Sequence, residues 1–172
     1  MGQYYRPLTQ NTEKNRITAW FCAFEFDNGL KLMEHTYVRN WLVMAVEKHL
    51  YNNPQPLSWV GDYSHTGLFN QCNDCPERKV GVTPYEELVK LLPEPRYCVN
   101  HTKKEYFEVA KDGEELTIHP LPILTRLSDE GGGGDYYGTS MELVGAWAGD
   151  TIEVTDKEPD GFKRITPNFS EE

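Results

Sequence analysis

The chain has 172 residues, a formal net charge of −10, 38% hydrophobic residues and 12% aromatic residues. This length and aromatic content exclude a disordered chain and predict a single domain over residues 1–172, with its acidic segment 156–172 at the periphery. The chain has an excess of acidic residues and no cluster of basic residues, and such a cluster is what binds nucleic acid or an anionic membrane surface. We therefore expect neither as a partner. MGQYYRPLTQ at the start lacks the apolar core of a signal peptide, so we expect a cytoplasmic protein.

The first fifty residues predict a hairpin followed by a helix. Residues 17–26 (ITAWFCAFEF) have the β-branched and aromatic composition of a strand. The dipeptide Asn28-Gly29 suits the tight turn of a hairpin, with a return strand after it. Apolar residues at helical spacing between Thr36 and Asn52 predict a helix.

The rest of the chain predicts one more helix and several short strands. Thr83 can cap this helix and Pro84 can occupy its first position. The predicted strands are 57–60, 97–99, 106–110, 116–124, 143–147, 151–155 and 162–166, with turns at 111–113 and 159–161. We therefore expect an α+β fold: one compact domain with a mostly antiparallel sheet and about two helices.

Three cysteines and a histidine have the spacing of a zinc site. Cys72 and Cys75 form one pair two residues apart, and Cys98 and His101 form another. Two such pairs supply the four ligands of a closed structural zinc site, which is the cofactor we predict. The alternatives are ordinary thiols, or a redox pair at Cys72 and Cys75. Cys22 lies in an apolar segment and is predicted to be a buried hydrophobic residue.

A glycine-rich segment, residues 129–138 (DEGGGGDYYG), is the second candidate site. Consecutive glycines allow backbone N–H groups to approach a phosphate closely, and Tyr136 could stack on a ring. The segment lacks the Lys-Ser/Thr ending of a P-loop, and its acidic flanks oppose an anion unless Arg126, Lys103 or Lys104 lies nearby. A plain surface loop is the alternative.

Histidines near predicted turns offer a third possibility. The turn that contains Asp62, Ser64 and His65 brings together a carboxylate, a hydroxyl and an imidazole, the groups of general acid–base catalysis. His101 and His119 also lie beside turns or strand ends. A small hydrolase is therefore an alternative function, although such turn residues are common without any catalytic role.

Several segments together carry a family resemblance. They are MGQYY at the start, FDNGLKLMEH (26–35), VNHTKKEY (99–106), HPLP (119–122) and GGGGDY (131–136). With them the chain resembles a family of uncharacterised small proteins found in bacteria, their phages and large DNA viruses. The resemblance transfers no catalytic residue. It implies a compact phage-type protein that binds a host factor or sequesters a nucleotide-like immune signal, an anti-defence role.

These observations lead to one main hypothesis, a protein that binds a small, phosphate-bearing or nucleotide-like ligand. The predicted ligand contacts are Asp62, Tyr63, His65, Lys103, Lys104, His119, Arg126, Gly132, Gly133, Gly134, Asp135 and Tyr136. The alternative is a protein-interaction module that a zinc ion stabilises. The expected partner is a small molecule under the first hypothesis and a host protein under the second, and the chain could also form a homo-oligomer.

Overall fold

The structure, a computed structural model, describes residues 2–111 and 116–171; the turn predicted at 111–113 lies largely outside them. The strands within these ranges are β1 (Tyr5–Gln10), β2 (Ile17–Trp20), β3 (Gln55–Gly61), β4 (Tyr97–Asn100), β5 (Glu105–Glu108), β6 (Arg126–Leu127), β7 (Thr151–Thr155) and β8 (Lys163–Arg164). The α-helices are α1 (Trp41–Leu50), α2 (Leu68–Gln71), α3 (Tyr85–Leu91) and α4 (Pro120–Leu124).

The eight strands form one open sheet. Its order is β2-β1-β3-β7-β4-β5-β8, and β6 pairs with β3. The pairs β3–β6 and β5–β8 are parallel and the others are antiparallel. The α+β class and the mostly antiparallel sheet are thus confirmed, while the expectation of about two helices was too low, since α2 and α4 are short helices that apolar periodicity does not reveal.

The sheet has a large core on one face and a smaller cluster on the other. Leu57 and Trp59 of β3 belong to the main core, whereas Val60 packs with Leu8 in the smaller cluster. Successive side chains of a strand point to opposite faces. Ser58 therefore lies on the same face of the sheet as Val60, so its hydroxyl is on the side of the smaller cluster and not in the main core.

The first helix begins later than its apolar spacing suggested. The side chain of Asn40 accepts the backbone N–H groups of Leu42 and Val43, so α1 starts at Trp41 rather than soon after Thr36. An asparagine at this position satisfies N–H groups that have no partner within the helix. The second predicted helix is present as α3, but no side chain caps it.

The predicted hairpin at Asn28-Gly29 is wrong. Residues Ala23–Phe26 form a 3₁₀ turn, and Asp27 takes a left-handed conformation with φ of 54°. The carbonyl of Gly29 accepts a hydrogen bond from the buried imidazole of His35, six residues later in the chain. Leu32–Glu34 then form a second 3₁₀ turn in place of the expected return strand.

Two other predicted strands are also wrong. Residues 116–124 include α4, because His119 caps the helix by accepting the N–H of Leu121 and Pro120 needs no donor at the first position. Residues 143–147 form consecutive turns, in which Gly145 has φ of +77°. A left-handed residue there interrupts any extended strand.

The imidazole of His35 is fully buried in the main core. Its Nδ1 lies 3.0 Å from the carbonyl of Gly29, and its Nε2 accepts a 2.9 Å hydrogen bond from Nε1 of Trp59. These partners fix the neutral form with the proton on Nδ1. Burial lowers the pKa of His35 to about 4. A proton added at Nε2 would remove the acceptor that Trp59 uses.

Within the ranges given above, no helix is long and apolar enough to cross a membrane.

We predict that acid destabilises the protein through His35. Its pKa is about 4 in the folded protein and near 6.5 when unfolded, so the unfolded state takes up a proton first as the pH falls. Because of this difference in proton uptake, the free energy of unfolding should fall by about 2 kcal/mol between pH 7 and pH 5. Urea denaturation at several pH values measures this free energy. The loss should shrink in His35→Gln and persist in His65→Gln, an exposed control; an equal loss in both would contradict the prediction.

Candidate functional site

The carboxylate of Asp135 is the centre of the region that the glycine run predicted. It is 5% exposed and accepts hydrogen bonds from the hydroxyl of Tyr5 (2.6 Å) and the amide of Gln3 (2.9 Å). The backbone N–H of Gly132 donates to it as well, at 2.8 Å, and the guanidinium of Arg126 pairs with it at 3.1 Å. Burial, and then the bond to Asp135, raises the pKa of Tyr5.

The glycine segment therefore binds a carboxylate of its own chain. The N–H of Gly132 is directed at Asp135, while the carbonyls of Gly133 and Gly134 accept the N–H groups of Gln3 and Met33. A Cβ at Gly132 would lie 2.7 Å from the ring of Tyr63, so glycine permits this close packing. One of the N–H groups that we expected to bind a phosphate, that of Gly132, is therefore already bonded within the chain.

Several predicted residues do meet at this place. Tyr63 packs on Gly132, and Asp62 accepts the backbone N–H of Tyr4. The backbone N–H of His65 donates to Asp129 of the glycine segment. The residue Tyr136, however, is 2% exposed, and its ring packs edge-on against another ring in the core. It lines only a small cavity of about 190 Å³ beside Arg126 and Asp135, so little of its ring is open to stacking.

The other predicted contacts lie elsewhere in the fold. Lys103 pairs with Asp150 at 2.5 Å, next to the turn between β4 and β5. Lys104 is exposed in the same turn, with φ of 56°. His119 is fully buried at the start of α4. The structure therefore does not assemble the lysines, His119 and the glycine run into one pocket.

His119 belongs to a buried polar cluster beneath the sheet. Glu47 of α1 accepts two hydrogen bonds from Arg96, at 2.6 and 3.1 Å, and all three side chains are almost fully buried. Nε2 of His119 lies 3.5 Å from Glu47. Burial opposes ionisation of Glu47, but His119 and Arg96 outweigh it and hold the pKa of Glu47 below its usual range. This cluster orders the interior and offers no route to a substrate.

The predicted zinc ligands fall in different parts of the fold. Cys72 and Cys75 pack in the smaller cluster, whereas Cys98 lies in the main core. His101 is bonded to Glu153 at 2.7 Å. Among the residues described, no group of three or more His, Cys, Asp or Glu could hold a metal ion. Burial raises the pKa of Cys72 to about 12, which disfavours a thiolate.

A polar pocket on the second face of the sheet is the stronger candidate site. Its volume is about 430 Å³, within the range of small-molecule pockets. We call it the Ser58 pocket; its lining includes Gln10, Lys14, Arg16, Ser58, Leu68 and Gln71. These side chains come from β1, the turn after it, β3 and α2, so the pocket exists only in the folded chain.

The charge of the Ser58 pocket is opposite to that of the protein. Lys14 and Arg16 are its charged lining residues, and no carboxylate lines it. Neither cationic group forms an ion pair or side-chain hydrogen bond with any residue that the structure describes. Glu13 of the same turn is bonded to Asn15 instead.

The hydroxyl-bearing residue Ser58 lies in the wall of this pocket. It is 2% exposed, and its hydroxyl forms no hydrogen bond with the residues that the structure describes. The fully buried polar atom without a partner within these residues is a different one, Nε2 of His119. The Ser58 hydroxyl is therefore a polar group that a molecule in the pocket could reach.

Sequence reasoning missed the Ser58 pocket for a definite reason. Lys14 and Arg16 lie in the turn that connects β1 to β2. Strand β2 was predicted, but β1 was not, and Pro7 in its middle disfavours a strand. Without β1, the turn after it has no position relative to β3. The available signal was a pair of basic residues, close in sequence, in a chain of net charge −10.

We predict that Asp135→Asn destabilises the protein by about 3 kcal/mol, because it leaves Arg126 without its partner charge in a partly buried position. Urea denaturation measures the loss. Asp129→Asn is the control, since Asp129 is 47% exposed and we expect a loss of about 1 kcal/mol or less. Equal stability of the two variants would contradict a central role for Asp135.

The zinc prediction has its own test. A site made of these four ligands would appear in metal analysis as one zinc per chain, lost in both Cys72→Ser and Cys98→Ser and retained in Cys22→Ser. That result would confirm the prediction from the sequence and require an arrangement of the chain in which the two cysteine positions meet. A chain that purifies without zinc and is unchanged by chelators would contradict it.

Comparisons with protein-family models, with curated proteins and with solved structures found no match to this chain. The resemblance to small bacterial and phage proteins therefore stays a prediction.

Proposed function

We propose that this protein binds a small, phosphate-bearing molecule in the Ser58 pocket. One observation carries the proposal: two cations that form no ion pair with the described residues line a pocket that has no carboxylate in its lining. The hydroxyl of Ser58 lies in the wall of the same pocket. The side chains of Lys14 and Arg16 would meet the negative charge. Ser58 would donate its hydroxyl proton to a phosphate oxygen.

Electrostatics gives this arrangement its selectivity. A chain of net charge −10 repels anions over most of its surface, so an anion gains most where no carboxylate is near. Guanidinium groups match the geometry of phosphate oxygens and can donate two hydrogen bonds at once, and ammonium groups add a compact charge. Arg16 and Lys14 supply one group of each kind.

The pocket also accommodates the rest of such a ligand. Leu68, Leu127 and Ala148 supply apolar lining, while Gln10 and Gln71 supply amide groups. An apolar wall with a few polar groups is the usual composition of a small-molecule site. A nucleotide-like molecule has this same division into a charged and a less polar part. Sequestration of a nucleotide-like signal is the extension of this proposal that rests on the family resemblance.

The hydrolase alternative has less support. His65 is exposed, His101 is bonded to Glu153, and His119 is buried beside Glu47. None of these three histidines lines the Ser58 pocket. General acid–base catalysis needs the catalytic group within hydrogen-bond reach of the substrate. We therefore propose binding without turnover.

The proposal predicts that AMP and inorganic phosphate bind, and that adenosine does not, in calorimetric titrations. Lys14→Gln and Arg16→Gln should each weaken AMP binding by about tenfold, the size expected for loss of one charge-assisted hydrogen bond. Lys90→Gln and Lys157→Gln are matched controls, because both lysines are exposed and lie outside the pocket. Equal binding by all four variants, or no binding of either phosphate compound at millimolar concentration, would contradict the proposal.

Ser58→Ala separates a ligand role from a structural one. Because the hydroxyl bonds to no described residue, its removal should change the free energy of unfolding by only about 0.5 kcal/mol. AMP binding should nevertheless weaken. A variant that loses stability but keeps its AMP affinity would assign Ser58 to the fold and not to the ligand.

A further inference from the structure

A second pocket, more apolar than the first, lies beside Trp147. Its volume is about 380 Å³. The apolar lining comes from Leu124 of α4, from the turns that follow β6, and from the segment after β8; it comprises Leu124, Leu143, Ala146, Trp147, Ile165 and Pro167. We call it the Trp147 pocket. No sequence motif indicated it, since residues 143–147 were expected to form a strand.

The indole of Trp147 is held in a fixed orientation at this pocket. The residue is 1% exposed, and its ring centroid lies 5.6 Å from that of Phe107. Its Nε1 donates a 3.1 Å hydrogen bond to Glu105. The one polar atom of the side chain is thus already paired, and what the indole adds to the pocket is apolar surface.

The charged groups of the lining differ in their availability. Lys103 is paired with Asp150, and Glu105 is bonded to Trp147. Lys163, at the start of β8, forms no ion pair or side-chain hydrogen bond with the residues in the described ranges. Of the three charged lining residues, Lys163 is therefore the one whose charged group can bind a ligand without breaking an existing bond.

We propose that the Trp147 pocket binds an amphipathic carboxylate, a molecule with one negative charge on an aromatic or branched apolar body. Transfer of that body from water onto the apolar lining supplies the affinity, at roughly 25 cal/mol per Å² of buried apolar surface. The carboxylate pairs with Lys163, which fixes its orientation at the rim. A polyanion fits less well, since Glu105 adds a negative charge beside a single available cation.

This site is separate from the Ser58 pocket and does not rest on the proposed phosphate ligand. Leu143, Ala146 and Trp147 line one pocket, whereas Ala148 and Gly149 line the other. The two sites have no lining residue in common, although the same short segment passes between them. Variants in one pocket can therefore be tested for binding in the other.

The probe is 2-naphthoate, titrated by calorimetry. We expect saturable binding of one naphthoate per chain. Its uncharged analogue 2-naphthamide should bind about fivefold more weakly, the size of one partly exposed ion pair. Acetate, which has the charge without the apolar body, should not bind. No binding of naphthoate at millimolar concentration, or equal affinity for naphthoate and naphthamide, would overturn the proposal.

Variants locate the bound naphthoate. Lys163→Gln should weaken binding about fivefold, and Lys157→Gln, an exposed lysine outside the pocket, should not. Ala146→Leu should abolish binding, because the larger side chain fills the cavity. Lys163 is exposed, so its variant keeps the test valid if Ala146→Leu does not fold. Binding that is unaffected by Lys163→Gln, or that is lost in Arg16→Gln, would overturn the assignment to this pocket.

Discussion

The buried carboxylate of Asp135 is the interaction on which the arrangement of this chain depends. A buried charge is tolerated only with an opposite charge and a full set of hydrogen bonds. Asp135 obtains these from the N-terminal segment through Gln3 and Tyr5, and from β6 through Arg126. Strand β3 lies between β1 and β6, so the carboxylate connects elements on both sides of it. Gly61 of β3 allows the side chain of Gln3 to pass over this strand, because a Cβ at position 61 would lie 1.9 Å from the amide oxygen of Gln3.

The two pockets depend on the same construction. Because β1 and β6 are held beside β3, one cavity is lined by Ser58 of β3 and by Lys14 and Arg16 of the turn after β1. The segment after β6 then passes from the Trp147 pocket to the Ser58 pocket, with left-handed glycines at 145 and 149. A side chain at Gly145 would lie 2.9 Å from the carbonyl of Arg126, so glycine lets the segment pack closely on β6.

The sequence predicted the sheet more reliably than the sites. Strands β3, β4 and β7 were expected nearly where they occur, because each has the apolar run or the alternation of apolar and polar residues that is typical of a strand. The glycine run was expected to donate backbone N–H groups to a phosphate, whereas the N–H of Gly132 donates to the carboxylate of Asp135. Asp62, Tyr63 and His65 do lie near this run. That the anion is Asp135 of the same chain could not be read from spacing, since it depends on a contact with Tyr5, 130 residues away.

The sequence by itself determined the fold class, the acidic character and the positions of most strands, because these follow from composition and from periodicity over a few residues. Tertiary structure decided the rest. Whether a cation has a counter-charge, or a hydroxyl lines a cavity, depends on neighbours that are distant in sequence. Lys14 and Arg16 lie in the turn after β1, a strand that was not predicted. Ser58 acquires its place in the pocket only when Gly149 and α2 complete the lining around it. Local patterns carry no information about such closure, which is why the pockets emerged only from the folded chain.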